Sequence, residues 1–222
     1  MITYKIYGMH VRDEMIDNLK EKLQLSNDDV YYEDRLNGGL ALYTAKKAWL
    51  APIEDGETHR VVFPDDVDVC NGFKDICEKI VKTHPDCIIS LPLWRGRKKC
   101  KELENLHSPY VKTNLVIGWG IIMPIKYIDD CFSYIKEEFN DDIADDYGIQ
   151  LWAQKNRIPI ISTIPCLVQH LGDISLLDPS LPIRQSAYFE ENPIADWENC
   201  EIITLPSPSA RFAPYKKELF YR

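Results

Sequence analysis

The residues best suited to chemistry crowd into "RVVFPDDVDVCNGF", residues 60–73. Val61 to Phe63 read as a buried strand, Pro64 ends the pairing, and Asp65, Asp66 and Asp68 follow within four positions. Carboxylates this close raise one another's pKa unless a cation neutralises them. Mg²⁺ or Mn²⁺ suits such a cluster, because hard cations take carboxylate oxygens and leave positions for phosphate and water. An ion held at a strand end can assist the departure of a diphosphate as a Lewis acid. The competing reading is a solvated turn in which Asp68 or Asn71 caps the next helix.

The surrounding sequence alternates strands with helices. "ITYKIYG" (2–8) reads as an opening strand, and "RDEMIDNLKEKL" (12–23) as a helix with Met15, Ile16, Leu19 and Leu23 on one face. A short strand, "DDVYYED" (28–34), precedes a helix bracketed by glycines and Pro52, "GGLALYTAKKAWLAP" (38–52). Beyond the acids, Phe73, Ile76, Cys77, Ile80 and Val81 predict a helix with one buried face. "DCIISL" (86–91) reads as a strand, residues 93–113 as a basic, aromatic, irregular loop, and "NLVIGWGIIM" (114–123) as a strand pair around Trp119. Pro124 opens a helix carrying Ile125, Ile128, Phe132, Ile135 and Phe139, "DDYGIQLWAQKNR" (145–157) forms another, and "IPIISTIPCLVQH" (158–170) supplies late strands.

This order predicts an α/β fold: a single-domain α/β/α sandwich on a mixed, largely parallel sheet, with a Rossmann-like N-terminal half. Residues 1–177 form the domain, and from Asp178 to residue 222 the chain reads as an extended arm packing on it. In such sheets ligands bind beyond the C-terminal strand ends, which places Gly8–Arg12, Asp34 and Asp65–Asp68 on one rim.

Composition sets the outer limits. The 222 residues are 45% hydrophobic and 27% charged, as in an ordinary soluble domain, and the net charge of −9 argues against a broad nucleic-acid-coating surface. The chain begins without the basic and apolar pattern of a signal peptide and holds no run long enough to span a membrane. Its seven cysteines include no CxxC pair, which disfavours a zinc knuckle and suggests buried thiols in a reducing cytoplasm.

The strand, "PDDVDVCNGF" and helix together resemble the metal-binding segment of nucleotide-sugar-dependent glycosyltransferases of the A-type (GT-A) fold, family-2-like. "YYEDRLNGGLALYTAKKAWLAP" resembles their nucleotide-binding half, "VIGWGIIMP" the strand flooring the donor sugar, "ADDYGIQLW" the acidic helix start facing the acceptor, and "LVQHLGDIS" a late histidine that ligates metal or phosphate. The chain departs from the best-known pattern in having Pro64 before the acids and no clear Gln/Arg-x-x-Arg-Trp element. Its nearest echo is "QLWAQKNR".

On that resemblance Asp66 and Asp68 are the leading metal ligands, with Asp65 orienting ribose or water. If the triplet is registered on Asp65–Asp66 instead, Asp68 falls back to capping. His170 is the further metal ligand, set against a plain structural histidine. Asp34 would accept from a nucleobase imide, and His10 and Arg12 would lie by base and phosphates, unless Arg12 merely pairs with a neighbouring acid. One of Lys46 and Lys47, with Lys46 taken first, would meet the diphosphate while the other is plain surface, and Trp119 would lie beneath the sugar. Asp145 or Asp146, with Asp145 ahead, would deprotonate the acceptor hydroxyl, although helix capping explains acids there equally well. Trp94, Arg95, Arg97, Lys98 and Lys99 would close as a lid over the diphosphate or contact an anionic acceptor.

The expected protein is thus a cytoplasmic, Mn²⁺- or Mg²⁺-dependent glycosyltransferase. It would move a sugar from a nucleotide-diphosphate sugar, with a UDP-sugar favoured, to a glycan, lipid, protein or hydroxymethylated DNA base. Two alternatives stand beside it: a nucleotidyltransferase, for which "GMHVRDE" is a poor phosphate loop, and a non-catalytic nucleotide-sugar-binding module of the same fold.

Overall fold

The structure, a computed structural model, describes residues 1–33, 41–93, 108–171, 185–186 and 188–204. The chain runs β1 (Ile2–Gly8), α1 (Asp13–Leu23), β2 (Val30–Tyr32), α2 (Ala41–Trp49), β3 (His59–Pro64), β4 (Val67–Val69), α3 (Phe73–Thr83), β5 (Ile88–Ser90), β6 (Tyr110–Thr113), β7 (Ile121–Pro124), α4 (Ile125–Phe139), α5 (Asp145–Asn156), β8 (Ile160–Thr163), β9 (Val168–His170) and β10 (Ile203–Thr204).

Alternation along the strands builds the layers, because successive side chains point to opposite faces. Ile2, Tyr4 and Ile6 of β1 join Val61 and Phe63 of β3 in one core with Ile16, Leu19 and Leu23 of α1 and Phe73, Cys77 and Ile80 of α3. Val62 of β3, with Ile121 and Met123 of β7, faces the other way. Those three meet Leu42 and Trp49 of α2, Ile128 and Phe132 of α4, and Ile149 and Trp152 of α5. Helices therefore cover both faces of the sheet, and the fold is α/β with an α/β/α layering.

Eight strands lie in the order β10-β6-β8-β5-β7-β3-β1-β2. The β2–β1, β1–β3, β5–β8 and β6–β10 pairs are parallel, whereas β7 runs antiparallel to β3 and β5, and β6 antiparallel to β8. The sheet is mixed and largely parallel. β4 and β9 form a separate antiparallel ribbon that sets Val67 opposite His170. Gly72 enters α3 at φ 69°, a left-handed conformation that costs glycine nothing.

Two expectations change. Residues 114–123 hold one strand, β7, rather than a pair. The amides of Val116, Ile117 and Gly118 instead donate to the side chains of Gln150, Ser90 and Asp146, at 3.3, 3.1 and 3.1 Å, so this segment is tied down by side chains and not by a ladder. A strand that was not expected, β6, lies inside the stretch read as irregular, and it pairs with β8 and β10. There Tyr110 and Val111 are buried while Lys112 is exposed, too short an alternation to stand out.

Described residues beyond position 177 take part in the core and the sheet. Trp197 is buried in the α1–α3 core, Phe189 bridges Cys166, and β10 extends the sheet beside β6. No described helix is long and apolar enough to cross a membrane.

Candidate functional site

β1 and β3 are parallel neighbours, with Tyr7 in register with Pro64, so Gly8 and Asp65 leave the sheet side by side. The approach is close: a methyl group on Gly8 would overlap the Asp65 side chain. The Met9 amide donates to Asp65 Oδ2 at 2.8 Å. A short 3₁₀ turn, His10–Arg12, then brings Arg12 back over the acids.

Arg12 bridges both carboxylates. Its Nη1 lies 2.7 Å from Asp65 Oδ1 and 2.5 Å from Asp66 Oδ2. These side chains are nearly out of water, with 12, 7 and 11% of the surfaces of Arg12, Asp65 and Asp66 exposed. Two buried anions thus share one guanidinium. The acids respond differently. Burial raises the pKa of Asp65 despite its bond to Arg12. Burial also acts to raise that of Asp66, but His170 and Arg12 together hold it below the usual carboxyl value.

His170 ends β9, and the β4–β9 ribbon delivers it to the same place. The Leu171 amide donates to Asp66 O at 2.8 Å, and His170 Nε2 lies 3.2 Å from Asp66 Oδ2. His170 Nδ1 is buried and finds no hydrogen-bond partner among the described residues. The Trp119 ring leans on the imidazole, with centroids 4.8 Å apart at 37°. The Leu91 amide fixes the turn behind Trp119 by donating to Gly120 O at 3.0 Å.

A second acidic pair opens α5. Asp145 is buried, and Trp49 Nε1 donates to its Oδ2 at 3.2 Å. Burial first, and then the charge of Asp146, push its pKa up to about 7. Asp146 is only half-buried. It accepts from the Gly118 amide at 3.1 Å and from the Tyr147 amide at 2.7 Å, which ties the start of α5 to the Trp119 turn.

Tyr7 connects the two pairs. As an odd-numbered residue of β1 it packs on the α2–α5 side of the sheet. Burial raises its phenol pKa, and the charges of Asp145, Asp146, Asp66 and Asp65 raise it further, so both acidic pairs act on this one hydroxyl. Sequence reading missed Tyr7. The signal was present in the alternation of Thr3, Lys5 and Tyr7, which turns the last of them toward the second layer just before the glycine.

Asp66 and His170, an ion pair here, are side chains of the types that could take part in holding a divalent ion. Neighbouring ligands of an octahedral ion bound at about 2.0–2.2 Å stand about 3 Å apart. Asp66 Oδ2 and His170 Nε2, 3.2 Å apart, match that edge. Among the described residues no group of three or more His, Cys, Asp or Glu side chains is arranged to hold an ion, so other positions would fall to ligand oxygens and water.

No protein-family model matches this chain, and no curated protein does. Solved structures match in fold. A197 from STIV superposes with a TM-score of 0.50 at 11% sequence identity, over 94% of this chain and 100% of that one. Likeness at that identity speaks to the fold alone.

Other predicted site residues lie elsewhere. Asp68 does not join Asp66 and His170: Lys22 of α1 holds its Oδ1 at 2.5 Å, and the Val69 amide donates to the same oxygen at 2.8 Å. Asp65 and Asp66 are the two acids that share Arg12, with His170 beside Asp66. Lys46 is spent on Asp141, at 2.7 and 2.8 Å, because its position on α2 faces the end of α4 and not the rim. His10 is exposed, stacks on Tyr32 with centroids 3.9 Å apart, and lies beside Asp13 instead of the carboxylate pair. Asp145, expected as the leading base, is the enclosed member of its pair. Asp34, and the proposed lid residues Trp94, Arg95, Arg97, Lys98 and Lys99, lie outside the described residues.

Proposed function

We propose that this chain is a glycosyltransferase that takes a sugar from a nucleotide-diphosphate donor, with a UDP-sugar favoured, and passes it to an acceptor hydroxyl. The observation that carries the reading is that the Trp119 turn links two acidic pairs, with the Gly118 amide donating to Asp146 and the Trp119 ring leaning on His170 beside Asp66, at the C-terminal edge of β1 and β3, where α/β sheets bind ligands. One pair is offset in part by the single guanidinium of Arg12, and the other holds one enclosed and one accessible carboxyl.

Asp66 and His170 would hold Mn²⁺ or Mg²⁺, which when bound supplies Lewis-acid charge to a leaving diphosphate. Arg12 and the Met9 amide keep Asp65 in place beside it. Trp119, leaning on His170, offers a flat face to the sugar. Asp146 is the acceptor-activating base. It is the more accessible of its pair, and burial pushes the neighbouring Asp145 up to about 7, so that below that pH a proton rests more readily on Asp145 than on Asp146. That leaves the local negative charge on Asp146, where it can take the hydroxyl proton as the new glycosidic bond forms. Glycan, lipid, protein and hydroxymethylated-base acceptors all present such a hydroxyl.

A thermal-shift panel of nucleotide sugars with and without Mn²⁺ tests the reading, since a ligand bound only by the native state raises apparent stability. One nucleotide family is expected to stabilise the protein in a Mn²⁺-dependent way. Asp146→Asn is expected to keep that shift and lose about 10²–10⁴-fold in sugar transfer, the usual contribution of a general base. Binding with no transfer to any acceptor class would favour the non-catalytic module, and no shift with any nucleotide diphosphate would reject the proposal.

A further inference from the structure

We infer that Arg12 is an internal counter-ion that couples ion binding to diphosphate binding: it holds Asp66 while the site is empty of both, and must release it to admit a cation. The inference rests on the reading of Asp66 and His170 as an ion-binding pair. Three observations lead to it. Arg12 Nη1 and His170 Nε2 approach the same oxygen, Asp66 Oδ2, at 2.5 and 3.2 Å. A cation bound between Asp66 and His170 would therefore compete with the guanidinium for that oxygen. Arg12 also has a second anchor, Asp65 Oδ1 at 2.7 Å, so it can leave Asp66 without losing every partner. Both acids are nearly out of water, so the charge left behind by any exchange is poorly screened.

Charge balance gives the direction of the coupling. Asp65, Asp66 and Arg12 together carry one net negative charge. A divalent cation alone would turn that into one net positive charge and set an ion against the guanidinium at close range. A diphosphate arriving with the cation restores a net negative balance and gives the displaced guanidinium an anion to meet. A planar guanidinium is suited to phosphate as well as to carboxylate oxygens. Cation and diphosphate should each strengthen the binding of the other, because a coupling free energy is reciprocal. Arg12 thereby acts as a positioning residue: it discourages the cation from settling without a donor.

The test is Mn²⁺ binding to the full chain, followed by electron paramagnetic resonance of the free ion and requiring no turnover. With Mn²⁺ alone, Arg12→Gln is expected to bind about tenfold tighter than the unmodified chain, within the range usual for coupled sites. Asp66→Asn should abolish binding in either background. Arg12→Lys keeps the charge but cannot reproduce the planar bridge, and should shift affinity in the same direction by less. That variant carries the test if Arg12→Gln does not fold. Inorganic pyrophosphate, a probe independent of the donor base, should strengthen Mn²⁺ binding by a larger factor in the unmodified chain than in Arg12→Gln. Equal Mn²⁺ affinity in the unmodified chain and both Arg12 variants would overturn the role of Arg12 while leaving the ion site intact. Absence of Mn²⁺ binding in all of them would remove the ion-site reading as well.

Discussion

At the start of β3, Arg60 lies 1% exposed with all five of its N–H groups used. Nε and Nη2 meet the two oxygens of Glu57 at 2.8 Å each, Nη1 meets the carbonyls of Trp49 and Ala51 at 2.7 Å each, and Nη2 reaches Pro52 O at 3.1 Å. Glu57 in turn accepts from Thr3 and from the Glu54 amide. One cation meets one anion, and the carbonyls just past the end of α2 are satisfied. At the other end of the same strand two carboxylates share one guanidinium, and a neighbouring imidazole keeps a buried nitrogen without a partner among the described residues. The first cluster is closed and belongs to the fold. The second has charge and hydrogen-bonding capacity in excess of what its neighbours among the described residues are seen to use, and it lies at the edge of the sheet where α/β folds bind ligands. Buried charge alone does not separate a structural cluster from a working one; the balance of its partners does.

The sharpest way to break that contrast is to remove each cluster's key residue. Arg60→Ala should cost about 3–5 kcal/mol of stability, because it strands a buried carboxylate and three carbonyls. Urea unfolding would measure it, and Mn²⁺ should not rescue it. Asp66→Asn should change the stability of the ligand-free protein by about 1 kcal/mol or less, since Asp65 still pairs with Arg12. It should nevertheless erase the stabilisation by Mn²⁺ and donor, about 2.7 kcal/mol at a hundredfold excess over the dissociation constant. Similar stability losses for the two variants would dissolve the distinction between the strand ends.

A pH series sharpens the comparison on the far side of Tyr7. The Asp145 carboxyl is pushed up to about 7 from 3.8, so between those values the native protein keeps a proton that the unfolded chain has lost. The contribution of Asp145 to stability is therefore complete at acid pH and falls as pH rises toward about 7, the direction expected when the native state binds more protons. Asp145→Asn should flatten that slope in denaturant unfolding at stepped pH. An unchanged slope would place the raised carboxyl elsewhere. The smallest effect belongs to the pair that left the site. Lys22→Ala should cost no more than about 1 kcal/mol, as for a partly exposed ion pair, and should leave Mn²⁺ affinity unaltered.

The layers were legible in the sequence because their signals are periodic. The face of α3 and the alternation of β1 are written directly in residue types, and so is the crowding of Asp65 and Asp66. What the sequence could not convey was which of several close residues a third element would reach. Asp66 and Asp68 sit two positions apart and look equivalent, yet the β4–β9 ribbon brings His170 to one while α1 brings Lys22 to the other. Likewise Asp145 and Asp146 are adjacent, and only the packing of Trp49 against α5 shows which is enclosed. The partner of Lys46 was hidden for the same reason: Asp141 is distant in sequence and lies just past the end of α4. Tertiary neighbours, not residue types, decided each case.

The most direct measurement is a crystal structure of the full chain with Mn²⁺ and UDP, using the anomalous signal of manganese to locate the ion. The account predicts a peak bound by Asp66 Oδ2 and His170 Nε2, with diphosphate oxygens completing its shell and Arg12 moved from Asp66 toward the phosphates. An ion found away from this rim, or UDP bound with Arg12 still bridging Asp65 and Asp66, would contradict it.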